Sequence, residues 1–361
     1  MAKAKEIEGL DCEAEAGAGI NLVLRTRWEE MYALRPAALN RDEPGGVHDM
    51  RVASRRLRSA LQDFMPYLHK RRLAPPSDKL KKIAGALGAV RDQDVAIKEL
   101  KKLEADAPPE VLPGIMRYAD DRREKRALLY ADLAAVITEE ALSKTQVEFL
   151  EALEHGVKSP RRGKKAGSDR GVTTGMSLRE ASHDIIRKRL GEVQDLSKSL
   201  YRPLKSGPLH RLRIAAKKLR YALELFKPCW GEPFGVWAEE VAELQTSLGE
   251  LHDCDVWVSE LGAQLSRQEK DNSLSPDAQE DDRQQKRAAL WLLDHFTKAR
   301  TKHFRDALER FSRWESDHFA AHLTERLREG LKTSEMPPQA LTATDITTAD
   351  LEALEVSSPD A

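Results

Sequence analysis

Two stretches of this chain set cations at helical spacing. The first carries His48, Arg51, Arg55, Arg56 and Arg58; the second carries His210, Arg213, Lys217, Lys218 and Arg220. With His48 at the origin of a helical wheel, Arg51, Arg55 and Arg58 fall at about 300°, 340° and 280°. Met50, Ala53, Leu57, Leu61 and Phe64 fall between about 140° and 220°, so a cationic and an apolar stripe occupy separate faces of one helix. His210, Arg213, Lys217 and Arg220 repeat the first stripe, and Leu212, Ala215, Leu219, Leu223 and Phe226 repeat the second. A guanidinium offers a planar fork of donors that matches phosphate oxygens, each charge-assisted contact being worth about 1.5–3 kcal/mol. Histidine adds a donor whose charge responds to pH near neutrality. A solvated helix face mixes signs, because like charges repel. Lys205 to Leu223, in contrast, holds six basic residues and no acid. The pattern points to a polyanion.

The rows carry little that would read or stack bases. Tyr221 sits beside Arg220, but Ser59 takes the matching place in the other stretch. They therefore suit a phosphate chain or a nucleic-acid backbone. A further row, Arg122, Lys125 and Arg126, has a counterpart in Arg283, Lys286 and Arg287. Arg25, Arg187, Lys79, Lys82 and Arg91 are weaker candidates for the same anion.

Other chemistries find less support. No Gly-x-x-x-x-Gly-Lys-Ser/Thr, His-Glu-x-x-His or Gly-x-Ser-x-Gly motif occurs. Hydrolysis of a phosphate chain would call for a carboxylate cluster holding Mg²⁺, and the repeated blocks offer cations instead. Catalysis is not expected, nor is any cofactor. His48 has Arg51 and Arg55 as face neighbours, which repel a metal ion. Asp92 and Asp94, like Asp253 and Asp255, diverge by about 200° on a helix and are read as helix caps or arginine partners. His318 and His322 share a face without a third ligand. Cys12, Cys229 and Cys254 make no disulfide framework, and Cys229 and Cys254 are read as small buried apolar residues.

The elements that must carry these rows are helices. Apolar residues recur at three- and four-residue spacings, and alternating β-branched runs are few. Helices are expected near 20–38, 46–70, 78–104 and 114–154, then near 177–201, 208–227, 234–269 and 281–310, with an added helix near 312–331. Pro75-Pro76 reads as a break before the third. The segment KSPRRGKKAGSDRGVTTG at 158–175 reads as an exposed linker, and DNSLSPDAQEDD at 271–282 as an acidic break. The expected organisation is a flexible acidic N-terminus (1–19), a first four-helix unit (20–156), a basic linker (157–175), a second unit with an extra helix (176–332), and a disordered acidic tail (333–361).

Charge follows that division. The chain has 361 residues, with 59 Lys and Arg against 60 Asp and Glu. Residues 1–19 contribute −3 and residues 333–361 contribute −6, so the net of −1 leaves +8 on residues 20–332. The hydrophobic share of 40% fits a globular helical protein, and no apolar run is long enough to span a bilayer. The N-terminus lacks a signal-peptide core, so a cytoplasmic protein is expected.

The two units also read as copies. HDMRVASRRLRSAL (48–61) matches HRLRIAAKKLRYAL (210–223) at seven of fourteen positions, at an offset of 162. LGAVRDQDV (87–95) matches LGELHDCDV (248–256) at five of nine, at an offset of 161. The same offset lays DRREKRA (121–127) on DRQQKRA (282–288), and at the offset of 162 Arg25 and Arg27 fall on Arg187 and Arg189. Internal duplication of a four-helix unit follows.

His-x-x-Arg-(Val/Ile)-Ala-x-(Arg/Lys)-(Arg/Lys)-Leu-Arg, followed by Leu-Gly-x-x-x-Asp-x-Asp-Val, with both present twice, resembles the CHAD domain, the conserved histidine α-helical domain. The resemblance covers roughly 20–310. It implies an all-α protein of two four-helix bundles related by a pseudo-two-fold axis, with a basic central channel or groove. It also implies binding of inorganic polyphosphate and recruitment to polyphosphate granules, where other phosphate-rich anions and granule-associated proteins are further candidate partners. The family's histidines fall on His48 and His210. Two departures stand out: Arg91 is replaced by His252 in the second copy, and Lys79, Lys81 and Lys82 face Glu239, Glu240 and Glu243 there. Residues 1–19 hold no Glu-x-Glu-x-Lys strand of a CYTH triphosphatase module.

The sequence therefore predicts a non-enzymatic polyphosphate-binding protein without a membrane span. A sequence-independent nucleic-acid binder, and a scaffold that recruits a protein partner through the added helix and acidic tail, are the alternatives.

Overall fold

The computed structural model describes residues 4–41, 44–155, 175–268 and 276–335. Among them the chain is all-α. The first part comprises α1 (Ala16–Ala33), α2 (Arg35–Ala38), α3 (Pro44–Phe64), α4 (Lys70–Leu103), α5 (Leu112–Val136) and α6 (Glu139–Glu154). The second comprises α7 (Leu178–Ser197), α8 (Ser206–Trp230), α9 (Glu232–Gln268), α10 (Pro276–Ser316) and α11 (Phe319–Glu335). Almost all of the sequence read as the linker at 157–175, and nearly all of the acidic tail, lies outside the described residues.

Several boundaries differ from the periodicity: the helix expected over 20–38 divides into α1 and α2, and α10 starts at Pro276, inside the stretch read as an acidic break, and runs to Ser316. The helix expected over 114–154 is two helices. Thr138 breaks it, its hydroxyl accepting from Ala141 N at 3.2 Å to cap α6. The adjacent Ile137 is fully buried at the corner. Pro75 and Pro76, expected to end a helix, lie inside α4. They sit about one turn from its start and remove two ladder donors; the carbonyls left over belong to the exposed Arg71 and Arg72, where water can satisfy them.

The apolar stripes form the centre of the molecule. Met50, Leu57 and Phe64 of α3, and Leu212, Leu219 and Phe226 of α8, are fully buried. Phe64 and Phe226 meet edge to face at 5.9 Å where α3 and α8 pack together. A second apolar cluster closes the far ends of α4, α5, α9 and α10, with Trp257 stacked on Phe296 at 4.9 Å.

The N-terminal segment is not a loose tail over its described part, residues 4–19. Cys12 is joined to Cys229, at the end of α8, by a disulfide with the Cα atoms 5.4 Å apart. Ala16 N donates to Met176 O, Leu178 N to Ala14 O and Arg179 N to Cys12 O, so the segment pairs with the chain entering α7. The reading of Cys229 as an unbonded core residue is corrected accordingly, because folding brings two cysteines 217 residues apart within bonding reach. Cys254 is free and buried, as expected.

Candidate anion-binding groove

Each cationic row is set by the apolar stripe behind it. With Met50, Ala53, Leu57 and Leu61 locked into the core, the opposite face of α3 turns to a groove of about 730 Å³ shared with α4 and α8. Its wall includes Arg51, Arg55 and Arg58 from α3, Lys217, Lys218 and Tyr221 from α8, and Lys70 and Lys81 from α4. The guanidinium of Arg55 lies over the Tyr221 ring at 5.5 Å. Its buried Nε has no hydrogen-bond partner among the described residues. Lys81 reaches Asp78 at 2.7 Å, and Arg51 approaches Asp92 at 3.5 Å. Arg55, Arg58 and Lys217 form no ion pair among the described residues.

The repeated Leu-Gly-x-x-x-Asp-x-Asp-Val blocks lie behind the rows. A Cβ on Gly88 would stand 3.9 Å from Arg51 Nε, and one on Gly249 3.8 Å from Arg213 Nε, so each glycine lets an arginine lie along the next helix. The first aspartate of each block attracts that arginine, Asp92 toward Arg51 and Asp253 toward Arg213. The second pairs with the following helix, Asp94 with Arg126 and Asp255 with Arg300 at 2.6 Å. The carboxylates thus pair with arginines, one of the two roles the sequence allowed.

That last pair of contacts corrects the alignment of the fourth helices. Arg126 corresponds in role to Arg300, an offset of 174 and not 161. The buried Leu133 and Ile137 fall at the same offset from Ala307 and Phe311. The similarity of 121–127 to 282–288 therefore marks no shared position. Lys286 and its neighbours Arg283 and Arg287 lie instead where α10 meets the start of α5, since a Cβ on Gly114 would strike Ala288 and the Gln284 carbonyl. Arg122 pairs with Glu260 and covers the Trp257 ring at 4.9 Å, with Lys125 lining the same small pocket. None of these six cations lines the groove.

Other candidates are also placed elsewhere. Arg56 is buried against Glu30 at 3.0 Å, and Arg220 pairs with Glu224 at 2.6 Å. Arg25 reaches Glu154 at 2.9 Å, and Lys79 reaches Glu148 at 2.5 Å. Arg187 and Lys82 are exposed off the groove. His48 is half-buried near Arg91, and burial, followed by that guanidinium, depresses its pKa. His210 has His252 for a neighbour, with Nδ1 to Nδ1 at 3.2 Å. Burial, then Arg213, lowers both of these rings, His252 to about 4. The substitution of Arg91 by His252 thus occurs beside the family histidine in each half.

Field and burial converge on Lys217. Burial, then Arg55, Arg213, Arg51 and Arg58, pulls its pKa from 10.5 down to about 7. Burial also lowers Arg55, Arg58 and Arg213 from the usual guanidinium value. Cations held together without counter-charges store repulsion that an anion would relieve. The helical wheel revealed the rows; it did not reveal that Arg56 turns to Glu30 of α1, or that Lys70 comes across from α4, whereas Arg220 takes Glu224 one turn along its own helix. No group of three metal-binding side chains occurs among the described residues, and no described helix is long and apolar enough to cross a membrane.

The fold and the groove define an all-α bundle protein that gathers cations from three helices, with Arg55, Arg58 and Lys217 in no ion pair among the described residues. The chain belongs to the CHAD domain family, whose profile matches residues 22–262. Two Mycobacterium tuberculosis proteins, "Uncharacterized protein MT2285" and "Uncharacterized protein Rv2226", are each 28% identical over 196 residues, which is 53% of this chain. The alignment covers 36% of their length, so this chain matches about a third of each relative. Its fold is similar to the crystal structure of the CHAD domain from the plant Ricinus communis, with a TM-score of 0.58 and 21% identity over 84% of this chain and 95% of that one. It is also similar to PptA from Streptomyces chartreusis, with a TM-score of 0.59 and 11% identity over 83% of this chain and all of that one.

Proposed function

We propose that the groove binds inorganic polyphosphate, without chemistry on it, and that this binding recruits the protein to polyphosphate granules in the cytoplasm. The observation that carries the reading is the set Arg55, Arg58 and Lys217, gathered from two helices with no carboxylate paired to them among the described residues. A flexible chain of phosphates matches such a row because every unit presents charged oxygens and no base needs a stacking partner. Membership of the CHAD domain family supports the same ligand through the resemblance set out above.

The test is competition against labelled long-chain polyphosphate by duplex DNA and by RNA at equal charge, read by fluorescence anisotropy at one fixed salt concentration. Polyphosphate should compete far better than either nucleic acid. Equal competition by all three would overturn the reading and leave a general polyanion binder.

A further inference from the structure

Lys217 combines an open approach with surroundings that oppose its charge. It lines the groove on α8, within electrostatic reach of Arg51, Arg55 and Arg58 on α3 and of Arg213 one turn earlier on its own helix. From α4 the groove receives Lys70, Lys81 and Asp78, and Asp78 is already paired with Lys81. Lys218, the next residue, also lines the groove but lies within reach of the Asp63 carboxylate, so the two neighbouring amines differ in their fields.

This arrangement has two chemical effects at one nitrogen. It favours the free base, the only form of an amine that attacks an electrophile. It also draws anions to that nitrogen, because three guanidiniums face it across the groove. An electrophile that is itself an anion benefits from both.

We propose that Lys217 is a modification site, acylated by small acyl phosphates that enter the groove as anions. The amine lone pair attacks the acyl carbon, the bond from that carbon to the phosphate oxygen breaks, and an amide forms. The proton lost from nitrogen leaves on inorganic phosphate, so the step needs no other reactant. The product is neutral, and the groove loses one cation. This inference rests on the groove being an anion site.

The experiment incubates the full-length protein with acetyl phosphate near neutral pH and follows each lysine by peptide mass spectrometry. Lys217 should acetylate about tenfold faster than Lys218 or more, since an amine with a pKa near 7 is about half free base there. Arg55→Gln with Arg58→Gln should bring the Lys217 rate toward that of Lys218, with the fold checked by circular dichroism. p-Nitrophenyl acetate, an uncharged donor, should show a smaller preference for Lys217. Acetylation of Lys217 no faster than Lys218 with acetyl phosphate would overturn the proposal. Polyphosphate binding by the unmodified protein is measured separately: binding without selective acetylation sinks only the modification. Selective acetylation without binding supports the modification and sinks the polyphosphate reading.

Discussion

Arg55 and Arg56 are consecutive in the chain and meet opposite surroundings. Arg55 turns to the groove and lies over Tyr221, whereas Arg56 is buried against Glu30. Arg55→Gln with Arg58→Gln should therefore weaken polyphosphate binding by tenfold or more at about 1.5–3 kcal/mol per contact, with little loss of stability. Arg56→Gln should do the reverse: it leaves Glu30 short of a partner and lowers the melting temperature with little change in affinity. Titration calorimetry and thermal unfolding on both variants check this. Lys217 contributes a pH response of its own. Its folded pKa of about 7 lies below the unfolded value of 10.5, so between those values the unfolded chain holds a proton that the folded chain lacks. Stability of the free protein should then rise with pH across that window, and the charged lysine should cost stability below it. Lys217→Met should flatten the rise and raise the melting temperature near pH 6, while weakening polyphosphate binding. The sequence placed the pH response on His48 and His210; burial lowers both, whereas burial and the facing guanidiniums bring Lys217 down to about 7.

At the scale of elements, the two repeated blocks are parts of one device. The helix with the cationic row supplies the arginine, and the following helix supplies a glycine for it to lie against and an aspartate to attract it. The second aspartate ties that helix to the next one. This arrangement holds Arg51 and Arg213 along the following helix. The N-terminal segment is secured differently, by the Cys12–Cys229 disulfide and by backbone pairing with the entry to α7. Reduction, or Cys12→Ser, should lower stability by about 2–5 kcal/mol, because the link closes a long loop in the unfolded chain. Thermal unfolding with and without a thiol reductant measures it. An unchanged midpoint would mean that the backbone pairing alone holds the segment.

At the scale of the whole molecule, the proposed anion site sets Arg55 and Arg58 of α3 against Lys217 of α8, none of them in an ion pair among the described residues. Long-chain polyphosphate should raise the melting temperature, both because it binds the folded state and because it relieves repulsion present only there. Its affinity should fall steeply with added salt, since each phosphate neutralised releases counterions. A shallow slope in a logarithmic plot of affinity against salt would assign the contacts to neutral hydrogen bonds and not to the groove cations.

The sequence by itself determined the all-α class, the apolar stripes of α3 and α8, and the rows that carry Arg51, Arg55, Arg58 and Lys217. Those properties follow from local periodicity, because a helix fixes which residues share a face. Only the tertiary structure decided which cations serve the groove. Arg56 meets Glu30 on α1, while Arg126 and Arg300 are claimed by Asp94 and Asp255. Lys70 arrives from α4, and Cys12 finds Cys229 across 217 residues. Pairing and burial depend on what stands opposite in space, and residue spacing along one helix carries no record of that.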